Sequence, residues 1–512
     1  MKKINKNILI ILLLILVSFP AILPLLHHGF FVTDDGEWMI IRFSAFYQAL
    51  HDGQFPIRFL QRLNFGYGYP VATFLYPGFM YFGSIIHILK INFVDTIKII
   101  LGTALLGTTI FTYFWLNKVF NKKLAAFVGA FASLYIPYHF YDVYTRGSVG
   151  EVFALMWVAF ILWMIERKNI FFISIGIFLF LISHNTMAVL FLPLLFIYGL
   201  LRRILSYKQI FLSFILGILM SAFFSVPAIY ELRYTNFFVS IISNPLDYFA
   251  KFYLIGISTF IIFICGCLYL ILSKTDQKQK NLTIGFLFLT LLVAFFSSAN
   301  SAWLWQFIPS SFIQFPFRLL SYLIFSIAFI VAFIISQTKT NYRIFIVLGI
   351  VMITTLSSYQ FLMPQKYTDK DLGFYSTNEA TTTVKDEYLP TWVKVRHSQQ
   401  ANTKVEIIKG KGQILNLIYN NKKILFSVNA KNNVIVKINT NYWPGWEVLT
   451  DNKKTNISYN NPEGVMEVTV NSGVHNIQAV FGETPIRLFS DVISFLSFMS
   501  LILIVFRKHR KP

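Results

Sequence analysis

The sequence predicts a polytopic α-helical membrane protein, about twelve spans, with a small antiparallel β-domain set before its last helix. Three observations carry this. Of 512 residues, 56% are hydrophobic and only 13% are charged. Apolar runs of about 20 residues alternate with short basic loops, the signature of membrane-spanning helices. Residues 362–485 then change character, becoming charged and Asn-rich with period-two alternation. The formal net charge of +21 does not point to nucleic acid. The Lys and Arg lie mostly between apolar runs, where the positive-inside rule places them, and in the tail RKHRKP.

The chain opens MKKINKN followed by the apolar run 8–26. A secretory signal is disfavoured, since no A-x-A-like site follows and Pro20 and Pro24 interrupt the end of the run. An uncleaved first span with a cytoplasmic N-terminus is expected. A long first outer loop, 27–96, contains a second apolar run, 71–89. If that run crossed, the basic loop NKVFNKK (117–123) and every later basic loop would fall outside. It is therefore expected to lie in or dip into the outer leaflet, with Pro77 and Gly78 interrupting it. The remaining spans are expected at 97–116, 124–141, 149–165, 170–184, 186–201, 209–229, 252–272, 282–298, 318–336, 343–361 and 486–506. Runs 170–184 and 186–201 read as half-length helices meeting at Ser183-His184-Asn185-Thr186. Polar backbone at that depth is tolerated only inside protein or against a cavity. Cys265 and Cys267 share one apolar run and are expected to be inert thiols.

The expected domains are a transmembrane unit over 1–361, an extracytoplasmic β-sandwich-like unit over 362–485, and a final helix with a basic cytoplasmic tail over 486–512. In the second unit, segments such as KKILFSVNA, NVIVKINT and GVMEVTV are separated by the turn signals KNN, NNPEG and NSG. The protein is thus expected in the plasma membrane, with both termini cytoplasmic and the polar loops outside.

On that topology the informative polar residues share one side. The stretch Thr33–Tyr76 holds Asp34, Asp35 and Glu37, then Arg58 and Arg62, then the turn GYGYP. The second outer loop, YHFYDVYTRGSVGE, holds His139, Asp142, Arg146 and Glu151. His184, Glu231, Arg233 and Arg318 follow. Paired carboxylates at a membrane cavity suit proton abstraction from a hydroxyl or the holding of a metal ion. Arginines near the interface suit a phosphate or diphosphate. Together they point to an enzyme acting on a lipid-phosphate substrate. Each residue also has a plainer reading. The acidic pair is a solvated loop, Arg146 and Arg318 are interfacial snorkellers, and His184 is a helix-end histidine. GYGYP is a turn. The WPGW stretch (Trp443–Trp446) looks like a sugar-stacking platform, but packing at a β-domain bend is the expectation.

The order of features resembles the GT-C superfamily of membrane glycosyltransferases: a first span, a long first outer loop opening with an acidic motif, a juxtamembrane aromatic-proline segment and a second outer loop. More narrowly, the chain resembles the bacterial and archaeal membrane proteins called 6-pyruvoyl-tetrahydropterin-synthase-related and the YfhO-like proteins near them. The stretches that carry this are LHDGQFPIRFLQRLNFGYGYPVATFLYP, YDVYTRGSVGE, LISHNT, WLWQFIPSSFIQFPFRLLSY and NYWPGWEV. The pterin label implies no activity here, because the zinc-binding histidine set of such an enzyme is absent. Many relatives carry a Pro-Pro pair where this chain has Pro77 alone.

The resemblance implies a GT-C-like fold and sugar transfer from a polyprenyl-phosphate donor to an extracytoplasmic acceptor, a cell-envelope glycan, glycolipid or protein. It assigns Asp34 and Asp35 the role of general base or metal anchor. Arg146 and Glu151 are assigned to phosphate or acceptor contact and Arg318 to the lipid phosphate. Glu37, Arg58, Arg62 and His184 are further substrate-binding candidates by their place among the outer polar residues. A divalent cation, Mg2+ or Mn2+, is used by some relatives and not by others. A cytoplasmic-side enzyme that makes the lipid-linked donor is the implied partner. Two competing readings are a transporter or flippase for a lipid-linked glycan and a non-catalytic envelope-assembly protein. The first would place polar residues at mid-membrane on several spans with an inverted repeat, and neither is visible in the sequence.

Overall fold

The computed structural model describes residues 6–237, 245–308 and 313–509. The first helices in chain order are α1 (Lys6–Ile22), α2 (Gly36–His51), α3 (Val71–Phe74), α4 (Gly78–His87), α5 (Phe93–Phe120) and α6 (Lys123–Leu134). They are followed by α7 (Pro137–Phe140), α8 (Val149–Glu166), α9 (Ile170–Leu181), α10 (Asn185–Arg202), α11 (Tyr207–Met220) and α12 (Ala222–Glu231). Among the described residues, eight helices are long and apolar enough to cross a membrane, or ten if two bent pairs are single spans. The pairs are Lys123–Leu134 with Pro137–Arg146, bent by 50°, and Tyr207–Met220 with Ala222–Tyr234, bent by 64°. Two shorter apolar helices, Ile170–Leu181 and Ile257–Leu272, stand at the remaining expected spans. The chain is thus a polytopic helical membrane protein.

One expectation about these spans is corrected. The helices on either side of the SHNT break are not both half-length. Only α9 is short, at 12 residues, whereas α10 runs 18 residues to Arg202 and accommodates Pro193 inside it. The run 71–89 divides into α3 and α4 around Leu75–Pro77, and neither piece is long enough to cross.

The bundle has two chemically distinct ends. At the C-terminal end of α8, Glu166 takes a bidentate pair from Arg202 and accepts from the Tyr198 hydroxyl, which in turn accepts from Trp115 at 2.8 Å. Glu151, at the start of the same helix, is about 22 Å away by helical rise and belongs to the opposite end.

The β-strands run from β1 (Val405–Lys409), β2 (Gly412–Tyr419), β3 (Lys423–Ala430) and β4 (Val434–Asn441) to β5 (Trp446–Thr450), β6 (Lys453–Thr455), β7 (Val465–Val470) and β8 (Gly473–Phe481). They form a three-stranded sheet β1-β4-β7 and a five-stranded sheet β2-β3-β8-β5-β6, antiparallel throughout. Inward positions alternate along β3 and β4 and pack face to face. The core is not closed by the strands alone. Phe59 and Phe74, from the polar loop after α1, enter it. Phe59 lies 5.8 Å from Trp446 and 5.4 Å from Phe481, and Phe74 lies 5.9 Å from Trp443. The WPGW tryptophans are therefore buried packing residues.

Residues 362–404 carry only short helical turns and lie over the loop that follows α1. The Val32 amide donates to Lys366, Ser44 donates to the Tyr375 carbonyl, and the Tyr69 and Thr383 hydroxyls meet at 2.6 Å. The last helix, Pro485–His509, is anchored from two directions. Arg58 reaches Glu483 at 3.3 Å and Asp491 at 3.1 Å and donates to the Phe223 carbonyl. Arg487 makes a bidentate pair with Glu231 at 2.7 and 2.8 Å, and both side chains are excluded from solvent. Breaking one partner of such a pair leaves a buried charge, at a cost of about 3–5 kcal/mol. Glu231→Gln is therefore expected to lower the unfolding temperature in detergent sharply, while the double variant Glu231→Leu with Arg487→Met recovers most of the loss. Equal melting of Glu231→Gln and wild type would show that the pair does not hold the last helix.

Candidate active site

Two polar loops are joined backbone to backbone. After α7 the chain makes a single π-helical turn, Tyr141–Arg146, ended by Gly147 at φ +66°. The Asp34 amide donates to the Thr145 carbonyl at 3.1 Å and the Asp35 amide to the Arg146 carbonyl at 2.8 Å. Gly147 is required twice over. Its φ lies in the left-handed region, and a Cβ there would overlap Thr33 Oγ1 and the backbone of Gly36. Thr33 Oγ1 itself accepts from the Gly36 amide at 3.0 Å, closing the first turn of α2. Asp35 is the N-cap residue of α2, but its side chain makes no cap bond. Among the described residues neither the Asp34 nor the Asp35 carboxylate has a hydrogen-bond or ion-pair partner. Both stand at a helix N-terminus, where negative charge is favoured.

Beneath them lies a buried ionic network. Glu151, in the first turn of α8, accepts from the Tyr138 hydroxyl at 2.5 Å, from Arg146 at 2.8 Å and from Arg318 Nε at 3.0 Å. Arg146 also pairs with Asp142 one helical turn earlier. Two guanidiniums thus face two carboxylates, and all four side chains are buried. Phe315 and Phe317 stack in parallel at 5.1 Å, and the Arg146 guanidinium lies 5.7 and 5.3 Å from their centres. Arg318 lies 5.1 Å from Phe315. Its Nη1 is committed to the Ile313 carbonyl and Gln314, both at 2.9 Å, whereas Nη2 makes no hydrogen bond among the described residues.

The third wall is built from two helix breaks. The Gly78 amide donates to the Ile182 carbonyl at 2.7 Å and Asn185 donates to the Phe74 carbonyl at 3.0 Å, fastening the α3–α4 break to the α9–α10 break. Gly150 has no room for a Cβ because the Tyr76 ring covers it. Tyr76 lies 4.5 Å from the His184 ring. Burial raises the Tyr76 phenol above its ordinary pKa, with Asp35 and Glu151 adding to the rise and Arg42 and Arg318 opposing it. His184 Nδ1 accepts the Met187 amide at 3.2 Å, capping α10. With Nδ1 assigned as acceptor, Nε2 carries the ring proton and remains a donor.

Of the nine residues given a catalytic or substrate-binding role from the sequence, Asp34, Asp35, Arg146, Glu151, His184 and Arg318 come together here. Three do not. Glu37 points the other way, to Lys370 at 3.1 Å and the Tyr375 hydroxyl at 2.9 Å. Arg58 anchors the last helix. Arg62 donates to the Ile41 carbonyl at 3.0 Å, to Ser44 at 2.6 Å and to the Ser376 carbonyl, and lies beside a different cleft. Tyr76 and Tyr138 escaped the sequence reading, being two of 26 tyrosines in aromatic-rich runs. The Asp142–Arg146 spacing of four was the one available clue to the network.

Among the described residues no group of three or more His, Cys, Asp or Glu is placed to hold a metal ion. With Glu37 turned away, Asp34 and Asp35 supply two carboxylates. That donor set fits Mg2+ or Mn2+ arriving with a substrate phosphate, since Mg2+ commonly takes one or two carboxylates and completes its shell with phosphate and water.

No protein-family model matches the sequence, and no curated protein matches it. Similar solved structures include the apo oligosaccharyltransferase of Archaeoglobus fulgidus, at TM-score 0.44 and 12% identity over 72% of this chain and 57% of that one. The same enzyme tethered to an acceptor peptide containing the NVT sequon gives TM-score 0.43 and 13% identity, over 72% and 56%. The A. fulgidus oligosaccharyltransferase AglB in complex with an inhibitory peptide and a dolichol-phosphate gives 0.41 and 13%, over 73% and 56%. The chain spans little more than half the length of these proteins, and at this level the likeness bears on neither activity nor substrate.

Asp34 carries a stability cost. Desolvation raises the Asp34 pKa, Asp35 adds to the rise and Arg146 opposes it. A carboxyl whose folded pKa exceeds its unfolded value, about 3.9, loses stability as the pH rises through that value. Asp34→Asn is therefore expected to raise the unfolding temperature at pH 7, with the gain shrinking below about pH 4. An unchanged or lowered melting temperature at pH 7 would contradict the assigned environment.

Proposed function

We propose that the chain is a membrane glycosyltransferase of the GT-C type, moving a sugar from a polyprenyl-phosphate-linked donor to an acceptor on the extracytoplasmic face. The observation that carries this is the pairing of two uncommitted carboxylates with a buried, arginine-containing floor at one end of the helical bundle. The narrower kinship with YfhO-like proteins belongs to the same proposal. So do the cytoplasmic placement of the termini and the exterior placement of the β-domain, both argued from the basic loops.

In this reading the acceptor hydroxyl attacks the anomeric carbon as the bond from that carbon to the phosphate oxygen breaks, with inversion. The hydroxyl proton passes to Asp34 or Asp35, and the raised pKa of Asp34 favours transfer to that carboxylate. The charge that develops on the departing lipid phosphate is met by Arg318 Nη2 and the His184 Nε2–H. Arg146 and Glu151 are positioning residues. Glu151 holds Arg318 at Nε, and the Arg146 carbonyl fixes the backbone of Asp35. A bound Mg2+ or Mn2+ would supply charge neutralisation between the acidic pair and the phosphate.

The test is transfer by the purified protein in nanodiscs, supplied with a panel of radiolabelled polyprenyl-phosphate sugars and envelope extract. At least one of Asp34→Asn and Asp35→Asn is expected to cut turnover by about 100-fold or more, and Arg318→Met by about 100-fold. Glu37→Gln, whose carboxylate faces Lys370, is expected to stay within a few-fold of wild type. Equal turnover in both aspartate variants would remove the acidic pair from the mechanism.

A further inference from the structure

A second polar cleft lies away from the acidic pair. It has a volume of about 360 Å3 and sits between the C-terminal end of α2, the turn at Gly66 and the β-domain. Gln48, which lines it, is 13 residues beyond Asp35 on the same helix, or about 20 Å by helical rise. The transfer reading uses nothing in this cleft.

Two cations flank the cavity, and every partner of either is neutral. Lys404 Nζ donates to the carbonyls of Gly66 at 2.6 Å and Asn439 at 2.8 Å. Arg62 donates to the Ile41 and Ser376 carbonyls and to Ser44. Among the described residues neither makes an ion pair. The cleft's own carboxylates, Asp52 and Glu379, keep their charge but are hydrogen-bonded to neutral amides and stand beyond ion-pair distance of both cations. Asp52 accepts from the Asn421 amide at 3.0 Å and its side chain at 2.6 Å, and Glu379 accepts from Gln400. Burial accordingly lowers Lys404 to about 7 and Arg62 to about 10, with Glu379 opposing at longer range. Two cations with no carboxylate in ion-pair contact, one on each side of an open cavity, can take up an anion there.

The rest of the lining does not suit a bare ion. Gln48, Gln400 and Asn420 line it with side-chain amides. Gln400 Nε2 already donates to Glu379, and Asn420 Oδ1 accepts the Lys422 and Lys423 amides. That leaves the Gln48 amide, the Gln400 carbonyl and the Asn420 amino group to match sugar hydroxyls. The Tyr419 ring, 54% exposed, offers a flat face at the rim, 5.8 Å from Lys404 Nζ. The volume falls in the range of small-ligand pockets.

We propose that this cleft binds a glycan bearing an anionic group. Arg62 and Lys404 take the carboxylate or phosphate, the amides take hydroxyls, and Tyr419 packs on the apolar face of a sugar ring. The site serves to recognise an acidic glycan whatever chemistry occurs at Asp34 and Asp35.

The test is calorimetric titration of the full-length protein in nanodiscs with four probes. They are a tetrasaccharide of alternating glucuronate and N-acetylglucosamine, its carboxyl-reduced counterpart, a hexose 6-phosphate and inorganic phosphate. At least one acidic sugar is expected to bind saturably, tenfold or more tighter than both the neutral tetrasaccharide and inorganic phosphate. The comparison of the two acidic sugars distinguishes a carboxylate from a phosphate ligand. Lys404→Gln and Tyr419→Ala are each expected to weaken that binding at least tenfold. Tyr419 is exposed, so its variant keeps the test decisive if Lys404→Gln fails to fold. The double variant Asp34→Asn with Asp35→Asn is expected to bind as wild type does, which separates this cleft from the transfer reading. Equal binding of acidic and neutral tetrasaccharides, binding of inorganic phosphate as tight as of either acidic sugar, indifference to Tyr419→Ala, or binding of none of the probes would overturn the proposal.

Discussion

A backbone contact too close for any side chain holds this structure's candidate site together. Gly147 lets the end of a π-helical turn lie against Thr33 and Gly36, so the amides of Asp34 and Asp35 find carbonyls on a loop more than 100 residues away. From that contact the rest follows. The Arg146 carbonyl is spent on Asp35, which fixes where the Arg146 side chain starts. Glu151, a few residues on, then receives Arg146 and Arg318 together. A second close approach, Tyr76 over Gly150, sets the lateral wall. The two glycines of RGSVGE are thus positions where two different segments touch α8 and its approach.

Packing against the β-domain adds a second layer of constraint. The loop that carries the acidic pair contributes Phe59 and Phe74 to the β-domain core, and residues 362–404 are laid over the same loop. The last helix is held by Arg58 and by the Glu231–Arg487 pair. Such buried pairs are costly to desolvate and costlier to break, so they favour one arrangement of loop, domain and helix over alternatives. Within that surround Asp34 holds a carboxyl whose ionised form is disfavoured by burial and by its neighbour Asp35.

The sequence made the scaffold legible because apolar length and period-two alternation are local signals. Ten of the twelve expected spans coincide with one apolar helix each and those at 124–141 and 209–229 with bent helix pairs, whereas the period-two alternation marks strands that begin only at Val405. The site was legible where its residues form short local patterns, as with Asp34-Asp35 and the RGSVGE stretch. It was not legible where charges find partners far along the chain. Glu37 meets Lys370, Arg58 meets Asp491 and Arg62 meets Ser376, at separations of 333, 433 and 314 residues. Read alone, each looked like a substrate group, and only the fold shows it already engaged. The SHNT break misled in the opposite sense. Its polar residues made both flanking helices look short, whereas the His184 side chain simply caps a full-length α10.

The central claim is that the acidic pair and Arg318 face one shared ligand position. The most direct measurement is a density map of the protein in nanodiscs with a bound polyprenyl phosphate. The account predicts the phosphate within hydrogen-bonding distance of Arg318 Nη2, beside His184, with the Asp34 and Asp35 carboxylates turned toward it. A phosphate held instead in the cleft between Arg62 and Lys404, or at the Arg202 end of the bundle, would contradict the account.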